Sequence, residues 1–364
     1  MRAGLYGAGS FGWFVAKSLE PSTELKVVAC ASRSIERAAS LARELGVAVQ
    51  PTYERLCQDE DLDLVILCTP PGQHAAQAAA ALEAGLNVFV EKPFATEWDG
   101  LNRVIETAGA TNRVVAVDYP MIYSPLIQAV MLFEKSRLAG PLLRVSVENI
   151  ASAEGLHGGH WFWKPELSGG IFVEHGVHFF DWVGRMAGEA ERVVALSPEP
   201  GGASGRGKRE DRVFAAVEHA GGTLATYFHA FIATPESERT RTVVSFEDLD
   251  IVLDGWIPAT MHLRGRGAAV GTTTIRRMMS RTVASIPDAT TGFIFDAGKK
   301  LELYAQGVRA AAEDMARSIR EPGYVARNDV RIAIDGLRVA FAAREAARSS
   351  SEVRVLPVRS AAPL

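Results

Sequence analysis

The first 122 residues alternate short apolar runs with alanine-rich, helix-compatible stretches, and that alternation leaves few folds open. The runs Ala3–Tyr6, Leu25–Ala31, Leu64–Cys68, Asn87–Val90 and Val114–Val117 are almost wholly apolar. Strands of that kind are buried on both faces, as in a parallel sheet covered by helices. Parallel neighbours need long crossovers, and Ile35–Leu45 and His74–Ala84 have the composition to supply them as helices. A doubly wound α/β sheet is the predicted N-terminal fold.

Tyr119-Pro120 and Ser124-Pro125 break the pattern and predict a junction, because the residue before a proline is pushed out of helical geometry. The division expected is a dinucleotide-binding domain over 1–122 and a second domain over 123–364. Two domains suit a chain of 364 residues. Beyond the junction, Leu142–Ile150, Arg212–Glu218, Leu224–Phe231 and Arg241–Phe246 read as strands of a largely antiparallel, open sheet in an α+β domain. An open sheet has a face to offer, so a homodimer or homotetramer is expected. Gly201–Asp211 and Arg264–Thr274 are glycine-rich and polar and read as surface loops, and a last helix over Asp329 to Arg348 is placed to pack back on the first domain.

Composition narrows the partners. A formal net charge of −4 gives no electrostatic drive toward nucleic acid or an anionic membrane. No apolar stretch approaches the roughly 18 residues of a membrane span, and the N-terminus starts directly on a strand with no leader pattern. Cys30, Cys57 and Cys68 lack metal-ligand spacing and read as reduced thiols. A cytoplasmic protein with a small-molecule partner is expected.

Gly7-Ala8-Gly9-Ser10-Phe11-Gly12 matches GxGxxG between the first strand and the first helix. In that setting the first glycine allows the tight turn, the second lets backbone approach a pyrophosphate, and the third brings helix and strand together. About twenty residues on, where an acidic residue would bond the ribose 2′-hydroxyl of NAD, the chain has Ser32 and Arg33, with Arg37 one turn later. A hydroxyl and a guanidinium suit a 2′-phosphate, so NADP is preferred over NAD. Solvated charges at a helix start remain the plainer reading of the two arginines.

Further along, Leu64–Cys68 runs into Thr69-Pro70-Pro71-Gly72-Gln73-His74, and the next strand ends in Glu91-Lys92-Pro93. With these motifs in order, followed by Gly169-Gly170 leading to His178 and by Asp335-Gly336-Leu337-Arg338, the chain resembles the Gfo/Idh/MocA family, the group of glucose–fructose oxidoreductase and inositol dehydrogenase. The resemblance spans essentially the whole chain. It implies an NAD(P)-dependent oxidoreductase, cofactor contacts from Thr69, Pro70, His74, Glu91 and Lys92 beside the glycine loop, and a Lys92–Pro93 bond that is often cis. Lys92 lies past the C-terminal end of a parallel strand, the edge where such sheets bind ligands, and can reach a substrate oxygen.

The segment Glu174-His175-Gly176-Val177-His178 looks like the family stretch in which an aspartate precedes a histidine by four residues, with Glu174 in place of the aspartate. On an α-helix that spacing stacks the two, so the carboxylate is expected to orient the imidazole. Lys92, His178 and Glu174 are therefore the catalytic candidates. With an ordinary pKa of about 6.5, against about 10.4 for a lysine, His178 is the better proton carrier and Lys92 the oxygen's stabiliser, although the roles could be exchanged. His160, Trp161 and Trp163 set aromatic rings among polar groups, as a sugar or cyclitol would need, and His175, Tyr119 and Tyr123 complete the expected substrate contacts. Many relatives carry an arginine where this chain has Ile122. A metal site at the paired histidines would leave Lys92 and the glycine loop unexplained, so none is expected.

The predicted activity is hydride transfer between nicotinamide and a secondary alcohol or ketone of a sugar, sugar derivative or cyclitol. Two alternatives stay open: a dinucleotide-binding regulator without turnover, and an enzyme that oxidises a sugar transiently with retained cofactor so that a bond elsewhere can break.

Overall fold

The computed structural model describes residues 1–198, 210–265 and 293–356. The stretches read as surface loops, Gly201–Asp211 and Arg264–Thr274, lie for the most part outside these residues.

The N-terminal half runs β1 (Arg2–Tyr6), α1 (Ser10–Leu19), β2 (Lys26–Ala31), α2 (Ile35–Leu45), β3 (Ala48–Val49), α3 (Tyr53–Cys57), β4 (Leu64–Leu67), α4 (His74–Glu83), β5 (Asn87–Glu91), α5 (Trp98–Thr111) and β6 (Val115–Asp118). The strands form one six-stranded parallel sheet in the order β3-β2-β1-β4-β5-β6. Strand order reverses beside β1, and the crevice beyond the carboxyl ends of β1 and β4 is where such sheets take ligands. The apolar runs of the sequence are these strands. β4, β5 and β6 are buried along their whole length because helices cover both faces.

The rest of the chain continues through α6 (Pro125–Ser136), β7 (Leu142–Ser152), α7 (Pro165–Ser168), α8 (Val177–Ala187), β8 (Ala190–Leu196), β9 (Arg212–His219), β10 (Leu224–Ala233), β11 (Arg239–Phe246), β12 (Leu249–Asp254), β13 (Thr260–Gly265), β14 (Phe293–Asp296), α9 (Lys300–Arg320), α10 (Val330–Ser349) and β15 (Val353–Arg354). Among the described residues its nine strands make a mixed, mostly antiparallel sheet in which only β7 and β10 pair in parallel. α8 packs on one face of it.

The last two helices return to the first sheet. Ahead of α10, Asn328 accepts at its carbonyl from Val117 N (2.9 Å) and donates from Nδ2 to Val117 O (3.0 Å), which covers the open edge of β6. Asp329 caps α10 by accepting from Arg331 N. Gly336 lets α10 lie on α8, since a Cβ there would stand 2.8 Å from the Asp181 backbone. Arg344 then ties α10 to the β5–α5 loop through Thr96 O (2.9 Å) and the Glu97 carboxylate. Helix α9 lays Tyr304 against Phe14 of α1, with ring centroids 4.6 Å apart. Among the described residues no helix is long and apolar enough to cross a membrane.

Candidate active site

A cleft of about 930 Å³ opens along the carboxyl edge of the parallel sheet, from Ser32 and Arg33 at one end to Lys92, His175 and His178 at the other. Its first wall is the glycine turn. Gly7 has φ +110°, and a Cβ on it would lie 2.5 Å from Cys68 O, so both backbone shape and space demand glycine. A Cβ on Gly12 would fall 1.9 Å from Gly7 O; this glycine allows the turn to fold onto its own helix. Gly9 differs, because a Cβ there would meet no protein atom within 4 Å. It is the N-cap of α1 and has no side chain to occupy the helix's first amides, so open space and free N–H groups face the cleft together. An anionic pyrophosphate fits that cradle, with the positive end of the helix dipole behind it. Ser10 and Phe11 border the cleft, whereas Ala8, buried, and Gly12 shape the turn from beneath.

At the ribose end Ser32, Arg33, Ser34 and Arg37 all line the cleft. Ser34 was missed in the sequence. Its hydroxyl caps α2 by accepting from Arg37 N (3.3 Å) and donates to Glu36 (2.7 Å).

His74, expected to touch the cofactor, is among the residues that line the cleft and also stands between two loops. Its ring is buried with Nδ1 2.8 Å from Pro93 O and Nε2 2.6 Å from Thr69 O. Burial takes it down to about 4, so it is neutral and donates to one carbonyl only. The ring lies between the loop after β4 and the Lys92–Pro93 turn, whose peptide bond is cis. Thr69 and Pro70 do line the cleft, and the Thr69 hydroxyl donates to Gln77 Oε1 (2.5 Å).

Lys92 reaches across from the end of β5. Its ammonium donates to Glu174 Oε1 at 2.7 Å and to the Glu174 carbonyl oxygen at 2.8 Å. The expected pairing of Glu174 with His178 is therefore corrected: the carboxylate serves Lys92. The reason is local backbone. Gly169 and Gly170 both have positive φ, and the chain from them enters a π turn over Phe172–Gly176 before α8 begins. A turn that bonds i to i+5 is wider than an α-helical one, so a four-residue spacing no longer stacks.

His178 is almost fully buried and its Nδ1 has no partner among the described residues. Burial, followed by the charges of Lys92, His175 and His229, holds it well below its ordinary 6.5, so the imidazole is neutral. His175 has its Nε2 2.8 Å from Asn149 Oδ1, and Asn149 donates in turn to Thr240 (2.6 Å). With the amide oriented this way, the His175 proton is on Nε2 and Nδ1 is left with its lone pair.

His160 and Trp161 line the far wall of the cleft. Trp163 does not: its indole donates to Leu156 O (2.8 Å), and it borders a separate cavity of about 350 Å³ with Gly170 and Arg344. Tyr123 is likewise corrected, since its hydroxyl donates to Asp314 (2.7 Å) in the protein interior, under the guanidinium of Arg327. Tyr119 is buried behind His178, ring centroids 6.0 Å apart. In their place the fold brings Trp256 and Tyr304 to the cleft. Trp256 meets His178 edge-on at 5.1 Å and Tyr304 at 4.7 Å. Both come from segments that carry no motif, and an aromatic residue after Asp254-Gly255 is the single local hint of the first.

A doubly wound nucleotide sheet, joined to an open sheet across a cleft with a lysine–carboxylate pair on its floor, defines a protein of the dinucleotide-binding class. The model described as "Oxidoreductase family, NAD-binding Rossmann fold" matches residues 1–119, and the GFO/IDH/MocA C-terminal domain matches residues 139–251. The chain belongs to the Gfo/Idh/MocA family. Among similar proteins, a 4-carboxy-2-hydroxymuconate-6-semialdehyde dehydrogenase of Sphingobium is 37% identical over 127 residues, 34% of this chain and 40% of that one. A 1,5-anhydro-D-fructose reductase of Ensifer adhaerens is 27% identical over 236 residues, 63% of this chain and 69% of that one. The first of these matches thus spans well under two thirds of the relative's length. A levoglucosan dehydrogenase solved with NADH and levoglucosan superposes with a TM-score of 0.82 at 18% identity, over 98% of this chain and 99% of that one, and shows the same fold.

Proposed function

We propose that the protein is an NAD(P)-dependent oxidoreductase that moves a hydride between nicotinamide and a secondary alcohol or ketone of a sugar, sugar derivative or cyclitol. The observation that carries this reading is Lys92. Two of its three N–H groups are committed to Glu174, which leaves the third to donate to a substrate oxygen beside the cleft. Named relatives include an inositol 2-dehydrogenase and the 1,5-anhydro-D-fructose reductase, whose substrates are polyhydroxylated rings. Trp161 and Trp256 offer the apolar faces that such rings stack on, with His160 and His175 as polar neighbours.

The protein's part is positioning and proton control. Bound nicotinamide supplies the hydride acceptor or donor. Lys92 holds the alcohol oxygen and stabilises charge that develops on it, while Glu174 fixes Lys92 from two sides. Neutral His178 takes the hydroxyl proton as the C–H hydride leaves. The amides at the start of α1 would hold the phosphates, and Ser32, Arg33 and Arg37 would favour NADP through its 2′-phosphate.

A homodimer or homotetramer is proposed from the free face of the nine-stranded sheet. Leu196 stands opposite Phe214 in register, Val194 and Leu224 share their face, and all four are exposed while their neighbours on the other face are buried. The cytoplasm is the proposed compartment, supported by three free thiols. The deciding experiment is absorbance at the reduced-nicotinamide band with a panel of sugars and cyclitols and each cofactor; no change with any of them would refute the oxidoreductase reading.

A further inference from the structure

Glu91 and Asp118 are the last residues of neighbouring parallel strands, β5 and β6, and are direct partners in the register. Both are buried, at 8% and 1% exposure, and their carboxyl groups meet beneath the cleft, which Glu91 lines. Among the described residues neither Asp118 oxygen finds a donor. The groups that face the pair come from every side: Lys92 after β5, Glu174 from the π turn, Cys68 at the end of β4, Tyr119 after β6 and Tyr304 on α9. Of these only Lys92 is cationic.

Two carboxylates this close in a dry environment cannot both be ionised, and a proton between them supplies the donor that Asp118 lacks. Burial, followed by the charge of Asp118, lifts Glu91 well above its ordinary 4.5, and burial lifts Asp118 to about 6 against the hydrogen bond it shares with Glu91, with Lys92 pulling both back. At neutral pH one member is protonated and the other is not. Lys92 and Glu174 cancel, so the charge that remains on the floor is the single negative charge of the pair.

We propose that Glu91 and Asp118 share one proton and thereby present one uncompensated negative charge that complements the positive charge of an oxidised nicotinamide ring. The second half of this rests on the dinucleotide reading above; the first half does not. The pair is a charge-setting device and neither member transfers a proton to substrate.

The test uses the full-length protein and the variants Glu91→Gln, Asp118→Asn and the double variant. Infrared spectra of the cofactor-free wild type at pH 7.5 should contain the carbonyl stretch of a buried protonated carboxyl group that is missing from both single variants. In titrations at the same pH, the double variant should bind oxidised cofactor roughly tenfold or more weakly, as loss of a nearby buried charge implies. Its affinity for reduced cofactor, whose ring is neutral, should change by less than about threefold on the same argument. Each single variant keeps one carboxylate and should lose less than the double. Absence of the carbonyl band from the wild type would overturn the shared proton, and equal weakening of both cofactor forms in the double variant would overturn the charge complement. A wild type that binds neither cofactor would defeat the dinucleotide reading and the complement with it, while the infrared result still decides the proton.

Discussion

Lys92 is bound twice to one residue: its ammonium meets the Glu174 carboxylate at 2.7 Å and the Glu174 backbone carbonyl at 2.8 Å, with only 11% and 10% of the two side chains exposed. The backbone contact aims the lysine even when the carboxylate is altered, and the carboxylate neutralises a charge that the cleft walls otherwise isolate from water.

Removing one partner of such a buried pair leaves the other uncompensated. Glu174→Ala is expected to cost about 3–5 kcal/mol in unfolding free energy, and Lys92→Met a similar amount. The double substitution Lys92→Met with Glu174→Leu should lie closer to wild type than either single change, because no charge is then stranded. Urea unfolding of the four proteins measures this; strictly additive losses would show that the two side chains do not act as a pair.

His178 is neutral well below its ordinary 6.5, and this sets the sign of a pH effect. Alcohol oxidation needs the neutral ring, so the rate should hold as pH falls through 6.5 and decline only at lower pH, where the buried ring finally gains its proton. His178→Ala should lower kcat by about 10²–10⁴-fold, the range of general acid–base help, with cofactor affinity near wild type. An acid limb centred at or above 6.5, or a variant within a few-fold of wild type, would remove His178 from the proton path and leave Lys92 to carry it.

The glycine turn separates binding from folding. Gly12→Ala puts a methyl group 1.9 Å from Gly7 O and should destabilise the protein outright. Gly9→Ala meets no protein atom within 4 Å, so melting should be nearly unchanged while the methyl takes space proposed for the pyrophosphate. Cofactor titration beside thermal melts compares the two; undiminished cofactor binding by Gly9→Ala would move the phosphate site elsewhere.

At the ribose end, Arg33 is exposed and lines the cleft beside Ser32. A charge-assisted contact to phosphate is worth about 1.5–3 kcal/mol. Arg33→Ala is therefore expected to weaken NADPH by roughly ten- to a hundredfold and NADH hardly at all. Equal losses for both cofactors, read by fluorescence titration, would show that Arg33 does not meet the 2′-phosphate.

Much of this architecture is written in local pattern. β1, β2, β4, β5 and β6 each coincide with an apolar run read from the chain to within about a residue at either end, and α2 matches at both ends. Burial on both faces leaves such a strand no polar alternation, and that is a property of the residues themselves. The glycine turn was legible for the same reason: a positive φ and a missing Cβ are requirements on single positions. The pairing inside the cleft was not. The spacing of Glu174 and His178 carries the α-helical period, and the two glycines that open the segment displace it into a π turn, so Glu174 pairs with Lys92 and not with His178.

Tyr123 and Trp163 lie close in sequence to groups that do reach the cleft, yet each hydrogen-bonds into another part of the interior, because direction depends on what packs opposite. Trp256, Tyr304 and Asp118 show the converse. The first two come to the cleft, and Asp118 to Glu91 beneath it, only when β12, α9 and β6 take their places. What the chain determined by itself was the parallel sheet, the glycine cradle and the family, since each rests on residue type at short range. The Lys92–Glu174 pair, the neutral His178 and the facing carboxyls of Glu91 and Asp118 were decided by tertiary structure alone, because burial and charge are set by neighbours that the sequence does not place side by side.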